Sequence, residues 1–193
     1  MAKKLVSLKV LSAHATKRNN EVQILAELDR RVKKDPRRDS IQKFSDDFLV
    51  DGPNGTHRCL VYEPGGPDLA GLFDFRENQY YLLRPAMTRK IARQLVDAVA
   101  CLHSADIVHG DIGPRNVLLR LKDIETWKPK DVIEQFENLI QEKPLLVDGG
   151  KPDQSAPEYL IQASEMAKLD YAHLSDRIQL IDFGEAFDLR NPP

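Results

Sequence analysis

The stretch Ile107–Leu119, IVHGDIGPRNVLL, places a carboxylate at Asp111 and an amide at Asn116 on a loop between two apolar segments. An acid held from both sides can orient a substrate hydroxyl and accept its proton late in a transfer. The Asn, five residues on, can turn back and offer its carbonyl oxygen to a hard cation. A second carboxylate, Asp182, closes the apolar run Ile178–Ile181 (IQLI). Oxygen ligands from Asn116 and Asp182 suit Mg²⁺, which keeps several waters and binds substrate phosphates. Three such groups on the ends of apolar elements suit phosphoryl transfer, where positioning and charge neutralisation do most of the work.

Those groups need elements to hold them. Lys4–Leu11 (KLVSLKVL) is rich in Val and Leu and partly alternates, which predicts a strand. Asn19 and Asn20 are capping residues for a helix that begins near Glu21, with Val22, Ile24, Leu25 and Leu28 as its apolar stripe. DGPNGT, Asp51–Thr56, lies between two apolar runs and predicts a hairpin turn. Pro64–Pro67 (PGGP) breaks what precedes it. Met87–His103 is the clearest helix, with Ile91, Leu95, Val99 and Leu102 at helical spacing. Val117–Leu121 and Ile178–Ile181 read as strands. Between them Asp131–Ile140 has helical character and Lys143–Pro157 reads as loop.

Composition bounds the possibilities. The 193 residues are 41% hydrophobic and 30% charged, as in a folded globular chain. The net charge of −2 exerts no overall pull on nucleic acid or an anionic membrane. The basic run Arg30–Arg38 (RRVKKDPRR) reads as a solvated helix end and loop. Cys59 and Cys101 both sit in apolar runs without metal-ligand spacing, so buried free thiols are expected. Neither a signal peptide nor a segment long enough to span a bilayer is evident. The expected location is cytoplasmic or nuclear.

The motifs taken together resemble those of protein kinases. His109-Gly110-Asp111 and Asn116 resemble the catalytic loop H-R-D-x-x-x-x-N, and Asp182-Phe183-Gly184 matches D-F-G. Val6-Ser7-Leu8-Lys9 resembles the strand V-A-I-K, and Glu21 falls on the following helix. LKVLSAHATKRNNEVQIL, GPNGTHRCLVYEPGGPDL and IVHGDIGPRNVLL are further similar to the SR-protein kinases in their fungal-type branch. This resemblance implies an α+β, bilobal protein-kinase-like fold. Residues 1–62 would form a partial small lobe, 63–68 the hinge, and 69–193 a partial large lobe with an insertion at about 120–177. It implies ATP and Mg²⁺ as cofactors and a protein substrate, Arg/Ser-rich in that family. Lys9 would neutralise the nucleotide's α- and β-phosphates, and Glu21 would hold Lys9. Backbone groups from Glu63 to Asp68 would meet adenine. Asp111 would orient the hydroxyl, and Asn116 and Asp182 would take the metal. His109 and Phe183 are expected as packing residues, stacked with Leu25.

The pattern also departs from the family. Gly110 replaces the Arg that grips a phosphorylated activation segment. Gly113 stands where Ser/Thr kinases place a Lys near the γ-phosphate, and Arg115 is the nearby cation that could reach in. No G-x-G-x-x-G occurs, and the A-P-E at Ala156–Glu158 precedes D-F-G. A partial domain is therefore expected, with two small half-cores and poor stability. Aminoglycoside and choline kinases carry similar H-G-D and I-D-F pieces. A small-molecule phosphotransferase and a non-catalytic pseudokinase are thus the alternative readings.

Overall fold

A computed structural model describes residues 4–73, 85–128, 130, 132, 140–147, 149–150, 155–162, 166 and 169–192. Strand β1 (Ser7–Val10) pairs antiparallel with β3 (Gly55–Tyr62), with Lys9 opposite Leu60. Strand β2 (Phe44–Gly52) joins β3 through the expected turn, Gly52 opposite Gly55, and the sheet order is β1-β3-β2. The short helix α1 (Ala13–Thr16) begins at Ser12, whose Oγ accepts the Ala15 N–H at 3.1 Å.

Helix α2 (Glu21–Val32) buries Ile24, Leu25, Leu28 and Val32, so the stripe read from the sequence is the packed face. Its start differs in detail from the expectation. Asn20 occupies the cap position but makes no capping bond there, and Asn19 Oδ1 instead accepts the Glu21 N–H at 3.0 Å. Asn20 Nδ2 reaches across to the Ala186 carbonyl at 3.3 Å.

The chain leaves this sheet at Glu63 and Pro64. The break expected across Pro64–Pro67 is confined to its first residues, and Gly65–Asp68 resumes as strand β4, paired with β6 (Val117–Leu121). Close backbone approach explains this. A Cβ on Gly66 would stand 2.8 Å from the Leu119 carbonyl oxygen, so only glycine lets the two strands meet. Helix α3 (Leu69–Phe73) follows, and then α4 (Pro85–Ser104), whose buried residues are Ile91, Ala98, Cys101 and Leu102. Leu95 and Val99 of the predicted stripe are only half-buried, because α4 packs on β9 and the 3₁₀ turn Pro36–Ser40 with a rotated face. After β5 (Ile107–Val108), strand β6 pairs with β9 (Leu174–Leu180), giving the order β4-β6-β9. Strand β9 starts earlier than the run at 178–181, since Leu174 lies opposite Leu121. Strand β10 (Phe187–Asp188) pairs with β5.

Two small half-cores were expected, and among the described residues the structure has one core. Leu25, Leu28, Leu60, Leu102, Ile107, Leu119, Ile178 and Phe183 belong to a single buried cluster. Ile41, fully buried, pairs with Leu180 and stitches the parts together, and the next residue's N–H bonds the Leu180 carbonyl at 2.9 Å. One apolar face of the first sheet stays open, with Val6, Leu8 and Val10 about half exposed. In the stretch read as an insertion, β7 (Gln141–Glu142) pairs with β8 (Leu160–Ile161); of the loop expected over Lys143–Pro157, residues 143–147, 149–150 and 155–157 are described and form neither helix nor strand, and the rest lie outside the described residues. The helix expected over Asp131–Ile140 lies, apart from Val132 and Ile140, outside the described residues. Cys59 and Cys101 are free and buried, as expected. Among the described residues no helix is long and apolar enough to cross a membrane.

Candidate active site

Lys9 on β1 points at two carboxylates. Its Nζ lies 2.9 Å from Glu21 Oε2 and 2.6 Å from Asp182 Oδ1. Partial burial disfavours the ammonium, but hydrogen bonds and charge from Asp182 and Glu21 outweigh it and hold the amine above the ordinary lysine range. For Asp182, burial pushes the carboxyl up, and the Lys9 hydrogen bond and charge overcome that and pull it below the usual carboxylate range. The β1 strand and helix α2 thus bring together the pair that the kinase resemblance implied.

Glu21 is fully buried, and every oxygen on it is engaged. Oε2 accepts Lys9, and Oε1 accepts the Tyr62 hydroxyl at 2.8 Å. Burial, and then the neighbouring Glu21 charge, push the Tyr62 phenol well above its ordinary range, so it stays a donor. A buried charge needs such partners, because losing one leaves its full desolvation cost exposed. Tyr62→Phe removes one oxygen and little else. It is expected to destabilise the protein by about 1–3 kcal/mol, which a thermal melt reads as a drop of roughly 2–4 °C per kcal/mol.

The loop after β5 holds the second half of the site. His109 is buried and its ring lies 4.7 Å from that of Phe183, which is fully buried. Leu25 is fully buried in the same cluster as Phe183, in line with the expected packing role of these three residues. His109 Nδ1 accepts the Asp111 N–H at 3.3 Å while Nε2 faces the Ile181 carbonyl at 2.9 Å. Both contacts are satisfied by one neutral tautomer, with the hydrogen on Nε2. Burial holds the imidazole below its ordinary range despite the opposing pull of Ile181. A base whose folded value is depressed contributes stability above its unfolded value and loses it as pH falls. Stability is therefore expected to decline below about pH 6.5, by at most about 1.4 kcal/mol per pH unit from this group. Denaturant titrations from pH 8 to pH 5 check this, because the His109→Phe variant, weaker overall, should show a shallower acid limb.

Asn116 sits at the end of the 3₁₀ turn Pro114–Asn116, immediately before β6. Its Nδ2 donates to the Asp111 carbonyl at 2.8 Å and to Asp111 Oδ2 at 2.9 Å. Its own carbonyl accepts the Ile181 N–H at 2.9 Å, which ties the catalytic-loop turn to the strand that ends in Asp182. Asp182 itself has φ 64°, a left-handed conformation that Asp and Asn tolerate. The two departures at glycine separate here. Gly110 has φ 83°, and a Cβ there would run into the Glu185 carbonyl oxygen. The missing Arg thus has a backbone reason as well as a chemical one. Gly113 is extended, with nothing within 4 Å of an added Cβ, so the backbone there would accept a side chain. Arg115 is exposed on the same turn.

The donors that remain fit a hard divalent cation. Asn116 uses its Nδ2 on Asp111, which leaves Oδ1 without a hydrogen bond among the described residues, and Asp182 keeps a carboxylate that is 45% exposed. Among the described residues no group of three or more His, Cys, Asp or Glu could enclose a metal. Carboxylate and amide oxygens are the donor types Mg²⁺ takes when substrate phosphates complete its shell.

The protein kinase domain family matches residues 1–193. The chain belongs to the protein kinase family. Within it, the chain is similar to SRSF protein kinase 3 of Homo sapiens, 34% identical over 176 residues, or 86% of this chain and 29% of the relative. It is also similar to the serine/threonine-protein kinase SKY1 of Saccharomyces cerevisiae, 32% identical over 104 residues, 53% of this chain and 13% of the relative. Protein kinase dsk1 of Schizosaccharomyces pombe is 32% identical over 122 residues, 61% of this chain and 22% of the relative. The chain thus spans less than a third of the length of these relatives. The resemblance to SR-protein kinases and the partial α+β kinase-like fold read from the motifs hold.

Of the expected residues in this kinase chain, Lys9, Glu21 and Asp182 are in direct contact, and Asp111 and Asn116 bond each other. Glu63 is half-buried at the crossing between the two sheets, close enough for its charge to act on Arg120. Tyr62 escaped the sequence reading. Its run, CLVY, is apolar throughout, and no local signal says that the hydroxyl would face Glu21.

Proposed function

We propose that this chain carries the phosphoryl-transfer centre of an ATP-dependent serine/threonine protein kinase of the SR-protein kinase kind. The observation that carries the reading is Lys9 Nζ held between Glu21 and Asp182, at 2.9 and 2.6 Å. An ammonium so fixed, with a half-exposed carboxylate beside it, suits the phosphates of a nucleotide. In this reading Lys9 meets the α- and β-phosphates, Glu21 orients Lys9, and Asn116 Oδ1 and Asp182 hold the metal. When bound, Mg²⁺ neutralises charge on the phosphates. Asp111, exposed on its loop, orients a Ser or Thr hydroxyl and accepts its proton. Backbone groups between Glu63 and Asp68 take the adenine. The protein substrate is Arg/Ser-rich, by the likeness to a kinase named for SRSF proteins.

Calorimetry of Mg-ATP binding tests this, followed by transfer of labelled phosphate to an Arg/Ser-repeat peptide, to choline and to an aminoglycoside. Binding with transfer to the peptide alone is the expected result. Transfer to a small molecule alone would move the chain to the small-molecule phosphotransferases. Binding without any transfer would leave a pseudokinase, and no binding would remove the nucleotide site altogether.

A further inference from the structure

Glu21 lies in the first turn of α2, so its pairing with Lys9 exists only while that helix stays against the sheet. Both ends of α2 are tied to the short segment that follows Asp182-Phe183-Gly184. At the start, Asn20 Nδ2 donates to the Ala186 carbonyl at 3.3 Å. At the far end stands Arg31, whose side chain is only 10% exposed. Its Nε donates to Glu27 Oε1 at 2.8 Å, its Nη1 to the Ala105 carbonyl at 2.5 Å, and its Nη2 to Asp188 Oδ2. Asp188 is not a loose acceptor. It sits in β10 opposite Ile107, its Oδ1 accepts the Arg190 N–H at 3.0 Å, and the Leu189 N–H bonds the Asp106 carbonyl at 2.8 Å. The Arg190 guanidinium is paired with Asp106 at 2.5 Å and so does not compete for Asp188 Oδ2. One planar, five-donor guanidinium therefore joins α2, the end of α4 and the segment after D-F-G.

Gly110 removes the arginine that could hold this region through a phosphate, and its backbone leaves no room for a side chain. We propose that Arg31 is a positioning residue that clamps α2 to Asp188 and thereby keeps Glu21 on Lys9 without any phosphorylation. Asp188 supplies the anion that a phosphorylated side chain would otherwise supply. The proposal rests on the reading of Lys9 and Glu21 as the nucleotide-phosphate clamp.

The experiment uses Arg31→Gln and Asp188→Asn, with Arg30→Gln as a control, since Arg30 is 66% exposed and contacts Glu27 from the surface. Two readouts are taken: thermal melting, and the rate at which a small acylating reagent modifies Lys9, followed by mass spectrometry. The second needs no ATP and would not move if Arg31 merely stabilised the fold. Released from Glu21, the Lys9 amine loses a charged hydrogen-bond partner and opens to the reagent, seen as about tenfold faster acylation at pH 8, the equivalent of one such bond. That acceleration is expected in Arg31→Gln and Asp188→Asn, both still melting cooperatively, and is expected to be absent in Arg30→Gln. Arg31→Lys, which keeps the charge, should return the rate toward wild type. If Arg31→Gln does not fold, Asp188→Asn decides alone, because it leaves Arg31 bonded to Ala105 and Glu27. Wild-type acylation rates in folded Arg31→Gln and Asp188→Asn would overturn the proposal. Loss of Mg-ATP binding in the wild type would instead sink the functional reading and leave the acylation result standing.

Discussion

An Asp182→Asn variant is expected to fold, and to lose Mg-ATP affinity by at least about 10-fold to 100-fold, the range seen when even an indirect partner of a metal site is removed. The fold should survive for two reasons. Asn tolerates the left-handed conformation that Asp182 adopts, φ 64°. The ion pair it dissolves joins side chains 36% and 45% exposed, and pairs so open to water contribute no more than about 1 kcal/mol. Binding should suffer far more. Asp182 is the one carboxylate of the proposed metal set, and its amide replacement carries no charge to offset a divalent cation. Lys9 would also relax toward Glu21 alone. Calorimetric titration of ATP with and without Mg²⁺ measures both effects. Unchanged affinity in the presence of Mg²⁺ would remove Asp182 from the nucleotide site.

Asp111→Ala has the complementary expected outcome: ATP affinity within a few-fold of wild type and phosphoryl transfer reduced by about 10²–10⁴, the contribution of a positioned general base. Binding is preserved because Asn116 has a second anchor. Its Nδ2 also donates to the Asp111 main-chain carbonyl, at 2.8 Å, so Oδ1 stays presented when the Asp111 side chain is cut away. The Asp111 N–H to His109 is likewise a backbone contact and remains. Single-turnover transfer from labelled ATP, at saturating nucleotide, separates this loss from any change in binding. A variant that transfers at the wild-type rate would show that the hydroxyl proton leaves by another route.

The local part of this protein was legible in its residues. The hairpin at DGPNGT and the buried stripe of α2 follow from turn chemistry and side-chain periodicity, which act over a few residues. The stepwise order of the kinase-like motifs also carried the family. Long-range pairing decided the rest. Lys9 and Asp182 are 173 positions apart, and Tyr62 meets Glu21 across 41, distances over which no sequence period speaks. Pro64–Pro67 read as a break because proline and glycine punctuate chains, yet Gly66 lets β4 lie against the Leu119 carbonyl and continue as strand. Gly110 read as a lost arginine, whereas the packed Glu185 carbonyl makes glycine the residue that fits. Asn20 read as a cap, but the tertiary contact to Ala186 drew its side chain away and left Asn19 to meet the Glu21 N–H. Local chemistry set which groups were available. Packing of distant backbone set which partner each one took, because a buried charge or amide bonds whatever the fold brings within reach.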